Sequence, residues 1–291
     1  MRVIKFILSC VTCSFSTLLL HAKENKETKH RTGSIYFSWG YNQEWYTKST
    51  LHVKQSGLGN EYDMIQVQAH DHLGWNNGIF NKALTIPQYN YRLGYYFNSK
   101  QDLGVELNFD HTKYLIVDPQ NIHVKGTIAG NSVDESILFT QSQGFYYYLN
   151  NGANFFLFNI VKRYNLYHRK DNKFALDAIG KAGIGPVIPH TQNMLFGQAN
   201  NQGFQLGGWN TGIETVIRAT IEKYAYIEFS QKGDYARYSG LNVYQGKAHQ
   251  AFGTYELILS VGVFLPTTKN HPMFLKAPEK NNGTSENVPL K

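Results

Sequence analysis

Hydrophobic and polar residues alternate with a period of two along most of this chain. From Trp209 the odd positions are Trp209, Thr211, Ile213, Thr215, Ile217, Ala219 and Ile221, and the even ones are Asn210, Gly212, Glu214, Val216, Arg218 and Thr220. After Glu222-Lys223 the pattern resumes, with Ala225, Ile227 and Phe229 against Tyr226, Glu228, Ser230, Lys232 and Asp234. Side chains of a strand point to opposite faces in turn, so the stretch predicts a long two-faced hairpin. Folded about Lys223, it sets Arg218 across from Glu228 and Glu214 across from Lys232. Opposed pairs are the contact unit of a sheet, and these two serve as a ruler for register. Reversing Glu214 and Lys232 together is expected to restore more folded protein than either change alone.

The alternation recurs in Gly33–Tyr41, where Ile35, Phe37, Trp39 and Tyr41 oppose Ser34, Tyr36, Ser38 and Gly40. Gln88–Phe97 and Leu103–Tyr114 follow the same rule; folded about Ser99, they place Arg92 against Glu106 and Gln88 against Asp110. Asn154–Asn165 and Lys173–Val187, folded about Lys170, place Arg163 against Asp177 and Asn159 against Lys181. Thr254–Leu265 closes the set, with Leu257 and Leu259 on one face and Glu256 and Ser260 on the other. Thr47–Gln55 and Glu61–His70 read as two more strands, or Thr47–Gln55 belongs to a long loop.

A soluble antiparallel protein with one wet face would show similar charge pairs. Three features favour a membrane barrel. The apolar faces carry Tyr and Trp near strand ends, as interfacial girdles require. The opposite faces carry polar ladders and glycine, as a crowded lumen requires. The connections alternate: tight at Ser99–Gln101, His168–Asn172 and Glu222–Lys223, long at His72–Pro87, Ile116–Gly152, Pro189–Gln202 and Ser239–Ala251. Outer-membrane barrels have short periplasmic turns and longer external loops, and in lipid the sheet must close. The expectation is an all-β chain, a transmembrane antiparallel up-and-down β-barrel over residues 33–267. It has about ten strands, with eight or twelve allowed, and periplasmic N- and C-termini. Trp39, Tyr89, Tyr91, Leu93, Trp209, Ile213, Ile217, Leu257 and Leu259 are expected to face lipid. Arg92, Glu106, Asp110, Arg163, Asp177, Lys181, Glu214, Arg218, Glu228, Lys232 and Glu256 are expected to form a lumen charge network.

The ends of the chain set the compartment. Met1–Ala22 reads as a cleaved secretory signal, with Arg2 and Lys5 before the apolar Phe6–Leu20. Both cysteines, Cys10 and Cys13, lie inside it, so the mature chain is expected to hold no disulfide, thiolate nucleophile or Cys-ligated zinc. A lipoprotein site at Cys10 would leave almost no apolar core before the cut. Residues 23–32 form a polar leader and 268–291 a polar tail expected to be disordered. Asn282-Gly283-Thr284 fits a glycosylation acceptor by chance of composition. Of 291 residues, 14% are aromatic, and the net charge of +7 falls to +5 without Arg2 and Lys5. No clustered basic stripe with stacking aromatics appears, so no nucleic acid is expected.

Three stretches, Tyr36–His52 (YFSWGYNQEWYTKSTLH), Ile86–Asn98 (IPQYNYRLGYYFN) and Val105–Tyr114 (VELNFDHTKY), resemble the outer-membrane β-barrel proteins of Gram-negative bacteria, in particular a family of small barrels. Gly183–Thr191 (GIGPVIPHT) is similar to a strand-to-loop phrase of such barrels. The resemblance implies fold and location, and no activity travels with it. One departure is that the apolar stretch ends on Phe264-Leu265 and is followed by the polar tail, where such barrels usually end on an aromatic residue.

The resemblance also implies that the enzymes of this class mostly act on lipid A or phospholipid with a Ser nucleophile and a His base. That chemistry needs Ser and His on one face, by a His-x-Ser spacing or from facing strands. His111 is followed by Thr112-Lys113 and His190 by Thr191-Gln192, and Asp110 and His111 are adjacent and so face opposite sides. His70-Asp71-His72 has a spacing able to bind a metal, though at a strand end entering a loop, where histidines are often merely solvated. No cofactor is expected. The expected function is a non-enzymatic, monomeric surface protein in outer-membrane lipid, with a filled lumen and long loops that bind or adhere to an extracellular ligand. Phe145-Tyr146-Tyr147-Tyr148 offers a binding surface there or a cover for the barrel mouth. The alternatives are a small-solute pore and a lipid A- or phospholipid-modifying barrel enzyme.

Overall fold

The computed structural model describes residues 33–72, 88–97, 102–149, 152–171 and 173–265. The expected signal, leader and tail, the turn Ser99–Gln101 and most of His72–Pro87 lie outside the described residues.

In chain order the strands are β1 (Ser34–Tyr46), β2 (Ser49–Gln55), β3 (Asn60–Val67), β4 (Ala69–His70), β5 (Tyr89–Tyr96) and β6 (Leu103–His111). They continue as β7 (Tyr114–Ile116), β8 (Gln120–Ile128), β9 (Asn131–Phe139), β10 (Tyr146–Leu149), β11 (Phe155–His168) and β12 (Phe174–Val187). The last are β13 (His190–Leu195), β14 (Gln198–Phe204), β15 (Gly208–Ile221), β16 (Ala225–Val243) and β17 (Gly246–Leu265).

Eight of these close a ring. Antiparallel ladders join β1 to β5, β5 to β6, β6 to β11, β11 to β12, β12 to β15, β15 to β16, β16 to β17, and β17 back to β1. Eight is the lower of the strand numbers the sequence allows, and it gives an interior that side chains fill. Ile35 pairs with Leu265, so both ends of the described barrel lie at one end of the ring, the periplasmic end. The connections β5–β6, β11–β12 and β15–β16 are at that end too.

The remaining strands build a head on the other end. β17 runs past the ring to pair with β2, which leads to β3, β8 and β9. On the opposite side β1 leads to β4, β7, β10, β13 and β14. Inside lies a dry cluster that includes Leu51, Val53, Met64, Ile122, Val124, Phe139, Phe145, Tyr147, Tyr238 and Phe252. The long connections Ile116–Gly152, Pro189–Gln202 and Ser239–Ala251 are therefore largely strand rather than loop. Thr47–Gln55 contains β2, which lies in the head and not in the ring.

The Lys223 hairpin has the expected register, Arg218 opposite Glu228 and Glu214 opposite Lys232. The other two hairpins differ by two residues. Arg92 opposes Asn108, Gly94 opposes Glu106 and Asn90 opposes Asp110. Arg163 opposes Ile179, Asn165 opposes Asp177 and Val161 opposes Lys181, with a bulge between Asn165 and Tyr167. An even shift keeps every side chain on its face, whereas an odd one would turn the ionic residues into lipid. Two glycines admit rings from the neighbouring strand. An added Cβ on Gly94 would stand 2.0 Å from Tyr36 Cζ, and one on Gly262 would stand 2.2 Å from Tyr226 Cζ.

Candidate functional site

The ring has an apolar outside and an ionic inside. Leu93 (51% exposed), Ile213, Ile217 and Leu259 stand out from the wall with Tyr91 and Trp209, and Trp39, Tyr89 and Leu257 are half-buried on the same face. All eleven residues expected in the network point inward and are buried.

Register explains how they meet. Lys181, Glu214, Lys232, Glu256 and Glu44 stand side by side across β12, β15, β16, β17 and β1. Lys181 Nζ is 3.3 Å from Glu214 and, reaching across β11, 3.0 Å from Glu106 on β6. Arg92 donates to Asp110 at 2.6 Å and stands 3.8 Å from both Glu106 and Glu214. Lys232 donates to the other Asp110 oxygen at 2.6 Å, so one carboxylate ties two cations from different strands.

Nearer the periplasmic end, Arg218 pairs with Glu228 at 2.5 Å. Its guanidinium lies 4.3 Å from the centre of the Tyr226 ring and 4.8 Å from that of Tyr36. Arg163 lies over Tyr96 at 4.9 Å, and Asp177 accepts from Asn165 at 2.9 Å, so these two do not form the expected direct pair. Removing charges from water is costly, and the network is tolerable where opposite charges surround the cations, as they do Arg92, Lys181, Arg218 and Lys232.

Some members do not appear in the sequence-based set. Glu44 is buried, accepts from Asn42 at 2.8 Å and from the Tyr46 hydroxyl, and continues the even face of β1 past Tyr41. Asp234 is 2.7 Å from Lys232. Tyr36 donates to Glu106 at 2.9 Å. Asp110, Asp234 and Glu256 have carboxylate oxygens within 4.8 Å of one another, a spacing a metal could use. The Lys232 ammonium, 2.6, 2.7 and 3.7 Å from the three, already supplies the cation there.

The histidines weighed for chemistry are elsewhere. Asp110 faces the lumen while His111 faces out, stacked on Tyr89 and hydrogen-bonded to Asn154 at 2.9 Å. Thr191 is fully buried, and the His190 ring packs against Phe204. His70 Nδ1 bonds the Asp71 carbonyl at 2.6 Å. Neither His70 nor His72 belongs to a cluster of three metal-ligating side chains among the described residues.

The head shows two different outer faces. On one, adjacent strands align His249, His52, Asp63, Lys125 and Asp134 in one row. His52 bonds Asp63 at 2.8 Å, and Asp134 takes His123 at 2.8 Å and Lys125 at 3.1 Å. Lys125, with His123 beside it, holds the Asp134 carboxyl below the usual carboxylate range, and Lys54 does the same to Glu61. On the other face Tyr146 and Tyr148 stack at 5.2 Å and point outward, while Phe145 and Tyr147 point into the core. Burial pushes the Tyr147 and Tyr62 hydroxyls up.

No family model matches the sequence, and no curated protein matches it. Among solved structures, the chain is similar to Ail, the attachment invasion locus protein of Yersinia pestis, at 15% identity over 80% of this chain and 99% of that one, with a TM-score of 0.31. It is similar to the outer membrane protein OprG of Pseudomonas aeruginosa at 10% identity over 81% and 97%, TM-score 0.37. For the outer membrane protease OmpT of Escherichia coli the figures are 9% identity, 82% and 98% coverage, and TM-score 0.36. The assignment itself rests on the closed ring, the apolar outside and the ionic inside: this chain is a membrane-spanning β-barrel of the outer-membrane type.

Proposed function

We propose that the chain is a non-enzymatic surface barrel with a closed interior, whose β-built head presents a binding face to an extracellular ligand. The observation that supports this best is the filling of the tube. Arg92, Lys181, Arg218 and Lys232 with their carboxylates occupy the ring, and the apolar cluster around Met64, Phe139 and Phe252 occupies the space above it. An eight-stranded ring has no width to spare beyond such side chains. The head keeps its shape by strand pairing and a dry core, so it offers a preformed surface to a ligand.

Planar-bilayer recording tests the closed interior. The folded protein is expected to add no stepwise current. Stable open channels would replace this reading with the small-solute pore. Incubation with lipid A or phospholipid is expected to release no acyl chain; release that depends on His111 would favour the enzyme.

A further inference from the structure

β9 is an open edge of the head; β14, whose ladder is with β13, is another, and there Asn200 donates its side-chain amide to the Asn242 carbonyl of β16. β9 and β10 are consecutive and run alongside β8 and β7 on one side. On the other side β13 pairs with β10 only, Tyr146 against Met194, and turns back at Phe196-Gly197. Gly197 N–H donates to the Gly144 carbonyl at 3.0 Å, so the tip of the β13–β14 hairpin stops at the connection between β9 and β10, short of β9. Asn131–Phe139 therefore has β8 as its one strand partner among the described residues. In an antiparallel pair about half of the backbone N–H and C=O groups point away from the partner. Such an edge is a template for another strand.

The side chains along the edge define what fits. Val133, Glu135 and Ile137 share the face toward the core, and Val133 and Ile137 pack on its cluster while still half-exposed. Asp134 is on the outer face and ends the row His249, His52, Asp63, Lys125. The next position in that row lies across the edge and faces a carboxylate. Glu135, exposed, makes the same demand on the inner face. A second copy fits poorly, because a β9–β9 pair centred on Glu135 sets two glutamates face to face.

We propose that the Asn131–Phe139 edge accepts an extended, basic segment of a partner protein, paired antiparallel to β9 in the position that β13 occupies lower down, with cations opposite Asp134 and Glu135 and apolar residues opposite Val133 and Ile137. This rests on the head being a binding surface.

The test uses the folded full chain in nanodiscs and a fluorescent nine-residue threonine-rich lysine–valine peptide. It has two adjacent lysines to oppose Glu135 and Asp134, a valine directly after the pair to oppose Val133 and another two residues before the first lysine to oppose Ile137. Anisotropy is expected to show saturable binding, and hydrogen exchange at Asn131–Phe139 is expected to slow. The double variant Asp134→Lys, Glu135→Lys changes exposed side chains, losing with them the surface pairs of Asp134 with Lys125 and His123, and is expected to bind the peptide about tenfold or more weakly, the equivalent of about 1.4 kcal/mol. It is expected to bind a glutamate–valine peptide instead. A lysine peptide with a central proline is expected to fail, since proline removes a ladder donor. Equal binding of the proline peptide, indifference to the double variant, no binding of the lysine–valine peptide, or a dimer held by β9 would each overturn the proposal. Bilayer conductance on the same preparation tests the closed barrel separately: absent current with absent peptide binding sinks the strand acceptor alone.

Discussion

The lumen and the head interior are two stretches of one tube, filled in opposite ways. On β17 the inward positions Ser260, Glu256 and Thr254 give way to Phe252 and Ala248, while the outward ones change from Val263, Val261 and Leu259 to His249 and Lys247. On β16 the inward series Glu228, Lys232, Asp234 becomes Ala236 and Tyr238. β17 keeps the same parity inward throughout, and β16 does so as far as Tyr238, beyond which a bulge turns Leu241 and Val243 inward; along the shared parity only the polarity inverts. The cause is the medium outside. Next to hydrocarbon the wall must be apolar and the ionic groups have to be inside. Next to water the ordinary arrangement of a half-exposed sheet returns. The ionic lumen also fixes register, because a one-residue slip would place Arg218 or Lys232 in lipid.

The largest expected effect comes from breaking the lumen at Lys232. Lys232→Ala leaves Asp110, Asp234 and Glu256 without their shared cation, and removal of one partner from a buried ionic group costs about 3–5 kcal/mol. Loss of the heat-modifiable band on gels, or a matching fall in the urea midpoint, checks it. The same row changes the outlook for reversing Glu214 and Lys232. A lysine at 214 would stand beside Lys181 and Arg92, and a glutamate at 232 beside Asp110, Asp234 and Glu256. The double reversal is expected to recover no more folded barrel than either single change, against what the isolated hairpin suggests; rescue would show that the pair acts alone.

The head should respond by a different mechanism. Met64→Ala opens a cavity in the dry cluster and is expected to cost about 2–5 kcal/mol, felt as faster hydrogen exchange in β2, β3 and β8 while the ring stays protected. Equal loss of protection in β12 and β15 would mean that ring and head unfold as one unit. On the lipid face, Ile213→Lys is expected to cost about 2–4 kcal/mol if the site is at mid-depth and less toward an interface. The equivalent change on the head, Ile65→Lys, is expected to be close to neutral. A similar cost at both positions would abolish the distinction drawn between their surroundings.

Which parts were legible follows from the same inversion. The Lys223 hairpin is readable to the residue because its turn is short and its charge pairs agree with its apolar face. The Arg92 and Arg163 hairpins are readable for face but not for partner. A hairpin centre one residue later than the fold point assumed, reached in β11 with a bulge, moves the register by two without moving a side chain across the wall. The head is the part the pattern hides. Ile122 and Val124 alternate with His123 and Lys125 as a strand should, but they lie among Pro119, Gly126, Gly130 and Gly144, which punctuate like a loop. The alternation in Thr47–Gln55 and Glu61–His70 is genuine strand, and counting it into the ring is what raises the number from eight toward ten. Glu44 escapes because the pairing that buries it, against Glu256 on the last strand, spans nearly the whole chain and leaves no local trace.

The smallest expected effect separates the two regions by pH. In the head, Asp134 is hydrogen-bonded to Lys125 and His123, and its folded-state pKa lies below that of the unfolded chain. Glu61 is lowered in the same way by Lys54. A group depressed in the folded state contributes stability above its unfolded pKa, about 4, and loses it as pH falls through the folded value. Both carboxylates are on the surface, where such pairs are weak and screened by salt, so the effect is expected to be slight and to fade at high ionic strength. Hydrogen exchange of β8 and β9, corrected for intrinsic rates, is expected to be constant from neutral pH to about 5 and to rise modestly below 4. Asp134→Asn should flatten part of that rise and leave the ring untouched. An unchanged slope in the variant would move the cause to other carboxylates, and a rise that began in the ring would assign it to the lumen network.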